Sequence, residues 1–156
     1  MTEYRIKVAN VEEALYVART LRPQDLFEIA ASSSKDPAGV VMSSYEGSRD
    51  TWVGLADGTP VCLFGIWSPC LLGGVGHPWM YGSRAIAGHE RAFLRRCKPV
   101  VEAMASRYDE LRNWVDARNK PAIQWLRWLG FEVSDEIVRF PRLPGKFHPY
   151  RYGSKS

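Results

Sequence analysis

Asp25 and Glu28 lie on a helix that the sequence opens at Pro23, and a carboxylate is the side chain a general base requires. Their structural alternative is capping or pairing with Arg22. His77, just ahead of a strand, is a third candidate base, with a turn histidine as its alternative. Asp116, at the end of a later strand, is placed to anchor Arg118 or a loop backbone rather than to do chemistry. Three cysteines, Cys62, Cys70 and Cys97, form no CxxC pair, which argues against a zinc ribbon or a disulfide scaffold. They read as small core hydrophobes in a reducing cytoplasm. Arg95, Arg96 and Lys98 make one stretch basic, as a solvated helix face does, and His148 carries no signal.

The elements that must position these groups follow from periodicity. A strand over Tyr4 to Ala9 alternates. Asn10 then caps a helix whose apolar positions run from Val11 to Leu21. The Pro23 helix, with Leu26, Phe27, Ile29 and Ala30 on its apolar side, is followed by a short helix from Pro37 to Tyr45. Two buried strands, Thr51 to Ala56 and Val61 to Trp67, flank Asp57 and Gly58, a strong hairpin signal. After a Gly-rich link from Leu71 to Gly76 comes a strand around Pro78 to Tyr81. The longest helical stripe takes in Phe93, Leu94, Cys97, Val100, Val101, Met104 and Tyr108, with Pro99 expected to distort it. A strand from Leu111 to Ala117, a helix from Lys120 to Leu129 and a last strand from Phe131 to Phe140 complete the pattern. This order implies an α/β fold with a mixed sheet. Residues 141–156 show no clear periodicity and read as a tail that wraps the surface or stays mobile.

With 156 residues, 46% hydrophobic and 24% charged, the chain has the length and composition of one globular domain rather than of a disordered or fibrous protein. Its net charge of +4 is weak ground for nucleic-acid binding. The stretch from Gly58 to Ser83 carries no charge, but its glycines and prolines leave no run long enough for a membrane helix. The first residues lack the charged-then-apolar order of a secretory signal, so the chain is expected to stay in the compartment where it is made.

The run from Trp114 to Phe131, WVDARNKPAIQWLRWLGF, resembles the closing part of the GCN5-related N-acetyltransferase (GNAT) family, with Asn119, Ala122, Leu129, Gly130 and Phe131 at matching offsets. Asn caps the helix, Ala permits close packing and Gly allows a left-handed exit. More of the chain looks like a phage family of GNAT-like proteins that includes the internal virion protein A of short-tailed phages. Leu21 to Ile29, Pro78 and Trp79, His89 to Arg96 and Asn113 to Asn119 carry that likeness. The resemblance implies a single GNAT-like domain over residues 1–140, with a mixed twisted sheet of about six strands flanked by helices, and a tail over 141–156. It implies transfer of an acetyl group from acetyl-CoA to an amine, on a small molecule or on a protein lysine or N-terminus. Asp25 and Glu28 are then the bases. Tyr81, Gly82, Arg84, Gly88, His89 and Asn119 are the cofactor contacts.

The family's phosphate-holding turn reads here as Arg84, Ala87 and His89, where a methyl group and an imidazole replace small residues. Weak or absent acetyl-CoA binding is the expectation. The family's acid, a tyrosine seven residues after the Asn, is Leu126, so Tyr81 becomes the substitute proton donor. These departures support a rival role, a non-catalytic phage virion, assembly or host-interaction protein, located in the host cytoplasm or the particle. Its contact surface would centre on Trp128, which falls at the edge of the last helix's apolar side formed by Trp125, Leu129, Ala122, Leu126 and Ile123. The alternative for Trp128 is cover by Phe147, Tyr150 and Tyr152 of the tail.

Overall fold

A computed structural model describes residues 1–68, 74–141, 143 and 145–153. Cys70, Arg142 and the link residues 71–73 lie outside the described residues. The elements run β1 (Tyr4–Val8), α1 (Val11–Arg19), α2 (Pro23–Ser32), α3 (Pro37–Glu46), β2 (Ser48–Ala56), β3 (Thr59–Trp67), β4 (Val75–Gly82), α4 (Glu90–Ala105), β5 (Glu110–Asp116), α5 (Lys120–Leu129), β6 (Glu132–Val133), β7 (Val138–Arg139) and β8 (Lys146–Tyr152). One sheet has the order β1-β2-β3-β4-β5-β8-β6, with β7 also on β8. Neighbours pair antiparallel except β4 and β5, which are parallel.

Local chemistry sets most boundaries where the sequence places them. Asn10 and Glu13 form a reciprocal capping box on α1. Asp57 and Gly58 both take positive φ, 48° and 83°, which matches the twist a tight antiparallel hairpin needs between β2 and β3. Asn119 Oδ1 accepts the Ala122 N–H at 3.3 Å to cap α5. The helix ends at Gly130, whose φ of 105° lets the Phe131 N–H turn back onto the Leu126 carbonyl at 2.9 Å.

Two departures change the sheet. The strand expected over Phe131 to Phe140 is two short pieces, β6 and β7, separated by the polar Ser134 to Glu136 segment. The stretch read as a tail supplies β8, which pairs with six residues of β5 on one side and with β6 and β7 on the other. Its Phe147 and Tyr150 are buried, so this strand belongs to the core and the sheet has eight strands, not six.

The sheet separates two apolar layers. On one side α1, α2 and α3 cover Val53, Leu55 and Leu63. On the other, α4 and α5 cover Phe64, Leu111, Val115 and Tyr150. Cys62 and Cys97 are buried free thiols in this second layer, as small core hydrophobes would be. Among the described residues no helix is long and apolar enough to cross a membrane.

Candidate functional site

The parallel pairing of β4 with β5 covers only Val75 with Glu110 and Gly76 with Leu111. The strands then part, and Pro78 supplies a cause. Strand alternation aims the backbone groups of Gly76, Pro78, Met80 and Gly82 toward β5, because Ser83, one position on, donates to Val61 of β3 at 2.9 Å. Pro78 has no N–H to continue the ladder. Its carbonyl is taken by side chains instead, from Asn113 Nδ2 at 2.8 Å and Tyr150 Oη at 3.3 Å. Beyond this point the Met80 backbone faces the gap, and the sheet is splayed between Tyr81 and Val115.

The gap opens into a cavity of about 340 Å³ that reaches both faces of the sheet. Asp25, Glu28, Tyr81 and Asn119 all line it, so the structure brings the expected base, acid and cap residues together. Arg22, Asn113 and Tyr150 join them. Tyr150 carries no local signal as a site residue, because Pro149 beside it argues against a strand with neighbours on both sides.

Each polar group is held in place. Asp25 is buried, and its Oδ2 accepts from Arg22 Nε at 2.7 Å and from the Gly82 N–H at 2.7 Å. Burial raises the Asp25 carboxyl above its ordinary range, against the pull of Arg22 and the Gly82 N–H. A Cβ at 82 would stand 2.8 Å from Arg22 Nε, so a larger residue there would have to shift the Arg22 side chain that Asp25 holds. The Gly82 carbonyl in turn accepts from the Arg22 N–H at 3.0 Å, so both backbone groups of this expected cofactor contact are engaged within the protein.

Glu28 spans from α2 to the far side of the gap. Its Oε1 accepts the Asp116 N–H at 3.2 Å and its Oε2 accepts Asn119 Nδ2 at 2.8 Å. Burial again raises the carboxyl most, with the charges of Asp25 and Asp116 pushing the same way and the two hydrogen bonds opposing them. Tyr81 is raised mainly by burial while Ser44 Oγ lies 3.5 Å from its hydroxyl, and burial raises Tyr150 as well. Both phenols therefore stay protonated at neutral pH. Burial also works against the ionised Asp116, but hydrogen bonds from the Arg118 guanidinium and N–H prevail and hold it below the usual range. It is the anchor that the sequence implies.

The turn before α4 is separate from this cavity. A 3-10 turn over Arg84–Ile86 leads into a turn closed by the His89 N–H on the Ile86 carbonyl at 2.8 Å, with Gly88 at a φ of 84°. Arg84, Ala87 and Gly88 are exposed. The Gly88 N–H is engaged by the Glu90 carboxylate at 3.1 and 3.3 Å, and His89 Nδ1 is 2.8 Å from the Tyr4 hydroxyl. His77 lies inside β4, opposite Trp67 of β3, and not in a turn ahead of the strand; its Nδ1 meets the Arg112 carbonyl at 2.9 Å near the closed end of the gap, away from the other candidate bases. Trp128 is 44% exposed, with Lys98 Nζ 4.8 Å from its ring centre. Phe147, Tyr150 and Tyr152 do not cover it: they pack on Phe140 and Phe131 within the sheet.

No protein-family model and no curated protein matches the chain. Solved structures do. An N-acetyltransferase from Staphylococcus aureus Mu50 aligns with a TM-score of 0.69 at 15% identity, over 96% of this chain and 97% of that one. A GCN5-related N-acetyltransferase from Kribbella flavida gives 0.67 at 16%, over 95% and 96%. A Salmonella typhimurium structure solved with acetyl-CoA as its cofactor gives 0.60 at 15%, over 98% and 95%. The chain thus has the fold of GNAT acetyltransferases over essentially its full length. These comparisons support the GNAT fold and not the likeness to the phage family.

Proposed function

We propose that this chain transfers an acetyl group from acetyl-CoA to an amine. The observation that carries the reading is the opening of β4 from β5 at Pro78 onto a cavity that holds Glu28, Asp25, Tyr81 and Asn119. The residues present fit the cofactor in two parts. The apolar slot on the α5 side, beside the Met80 backbone, suits the thioester arm. The start of α4, with Arg84 exposed beside it, suits the phosphates once Glu90 leaves the Gly88 N–H. Bound acetyl-CoA would supply the acetyl group as an activated thioester.

Glu28 is the base in this reading: a carboxylate made more basic by burial takes a proton from the incoming amine. Tyr81, kept neutral by burial, returns a proton to the leaving sulfur. Tyr150 is a second neutral phenol on the same cavity. Asp25 is a positioning residue, because its carboxylate ties Arg22 and the end of β4 into one unit. Asn119 links Glu28 to the start of α5, so the base and the cofactor side of the gap share one support. Such a direct transfer draws on proximity and preorganised electrostatics rather than on covalent catalysis. The test is acetyl-CoA-dependent CoA release in the presence of amines. Acetyl-CoA that neither binds nor turns over would remove the reading.

A non-catalytic contact role, in a phage particle or on a host protein, is the second reading. It is favoured by Trp114 and Trp128, which are 42% and 44% exposed, and by the Glu90 carboxylate already seated on the turn.

A further inference from the structure

The two halves of the cavity differ in chemistry. The α5 side is mainly apolar, and its polar groups, Asn113 Nδ2 and the Tyr150 hydroxyl, are both turned onto the Pro78 carbonyl. The α2 side combines carboxylates with a wall of aromatic rings. Strand alternation puts Trp79 and Tyr81 of β4 on that side, where both pack against the helical layer of α1 and α3, and their ring centres are 5.5 Å apart. Across the gap Trp114 of β5 meets Phe140 edge to face at 5.3 Å, and Phe140 meets Phe147 at 5.6 Å. The polar tip of Trp79 is turned away from the chamber, since Nε1 donates to Ser48 Oγ at 2.8 Å. Trp114 is 42% exposed and marks where the chamber reaches solvent.

The charge on these walls is small. Among the described residues that line the cavity, the ionisable acids and bases of opposite sign are Arg22, Asp25 and Glu28, so two carboxyl groups against one guanidinium leave at most a single negative charge. That suits one amine nitrogen. A polyamine carries several positive charges and would find one excess carboxylate. A peptide brings backbone N–H and C=O groups that need partners, and the ring faces of Trp79, Trp114 and Phe140 offer none. A compact cation or amine with an apolar body loses nothing there and gains ring contacts. The volume of about 340 Å³, shared with the thioester arm, sets the same limit on size.

We propose that the α2 side of the cavity binds a small primary amine carrying an aromatic or bulky aliphatic group, with its nitrogen toward Glu28 and its apolar body between Trp79 and Trp114. This names the acceptor class within the acyltransfer reading and rests on that reading for the direction of attack. Binding of the amine is measurable without the cofactor.

The experiment is calorimetry of the full chain with 2-phenylethylamine, ethylamine, spermidine and an alanine-terminated tripeptide, followed by CoA release with the same amines. 2-Phenylethylamine is expected to bind about tenfold tighter than ethylamine or spermidine, the size of an aromatic ring contact that the other two lack. Trp114→Ala, at a half-exposed position that leaves the core intact, is expected to erase most of that preference, and Trp79→Leu to do the same. Equal or tighter binding of spermidine or the tripeptide overturns the proposal, as does an unchanged preference in Trp114→Ala. The two readings fail apart. If 2-phenylethylamine binds with the stated preference but no amine is acetylated, the acceptor site stands and the transferase reading falls. If the tripeptide is acetylated while 2-phenylethylamine neither binds nor reacts, the transferase stands and this site assignment falls.

Discussion

Replacing Glu28 by Gln separates its chemical role from its structural one. The carboxylate serves two donors, the Asp116 N–H and Asn119 Nδ2. A glutamine offers one acceptor oxygen, so one of these donors must face an NH₂ group instead. A donor left unpaired in this half-buried place costs about 1–3 kcal/mol. For a chain of this length about 2–4 °C of Tm accompanies each kcal/mol, so a loss of several degrees is expected. The loss depends on pH, and its sign is set by the raised carboxyl. In the folded chain Glu28 holds its proton more tightly than in the unfolded chain. That contribution to stability is complete below the ordinary glutamate range and is lost as pH rises through the raised value. Glutamine has no such dependence, so the Tm gap between wild type and variant should narrow from about pH 4 toward neutrality. Calorimetric melts across that range give the structural half. Rates give the other half: kcat/KM for CoA release should fall by about 10² to 10⁴, as for loss of a general base, and its acid limb should disappear. A Tm gap that widens with pH would show that Glu28 is not a raised acid. A rate within threefold of wild type with the limb intact would remove Glu28 as the base.

Deleting residues 143–156 should abolish cooperative unfolding. Phe147 and Tyr150 are buried rings of about 150–250 Å² each, worth roughly 4–6 kcal/mol apiece at 25 cal/mol/Å², together comparable to the whole stability of a domain. A truncated chain that still melts cooperatively within a few degrees of wild type would contradict the place of β8 in the sheet. Glu90→Ala frees the Gly88 N–H and removes a negative charge from the start of α4, so calorimetry should find CoA bound about two- to fivefold tighter, with Arg84→Ala acting in the opposite direction. Unchanged affinity in both variants would place the phosphates elsewhere. Trp128→Ala should move Tm by no more than about 4 °C, because the indole is half exposed and β8 does not rest on it. A larger fall would mean that the ring holds α4 and α5 together.

The parts of this fold that can be read from sequence are those in which a residue acts on its own backbone neighbours. Asn119 and Gly130 cap the two ends of α5, and Asp57 with Gly58 turns the hairpin. These signals are local, so they survive without tertiary information. Asp25 and Glu28 are legible as carboxylates on α2, and so is the pairing of Asp25 with Arg22; their distant partners are not, since Gly82 and Asn119 lie 57 and 91 residues away. β8 was the larger omission, and Pro149 accounts for it. A proline inside a run such as KFHPYRY argues against a strand with neighbours on both sides, because it cannot donate to the ladder. Here the ladder does not ask it to. Pro149 sits opposite Trp114 of β5, and its carbonyl accepts the Ser134 N–H at 2.8 Å, which turns its missing N–H toward the segment between β6 and β7. No strand pairs with β8 at that level, since β6 meets Tyr150 and Arg151 while β7 meets Lys146 and Phe147. The break in the expected last strand and the proline in β8 are thus the same feature. Pro78 plays the matching part in β4, where the absent N–H coincides with the point at which the sheet opens into the cavity. One proline is tolerated where pairing is interrupted by a loop, the other where the interruption is the site.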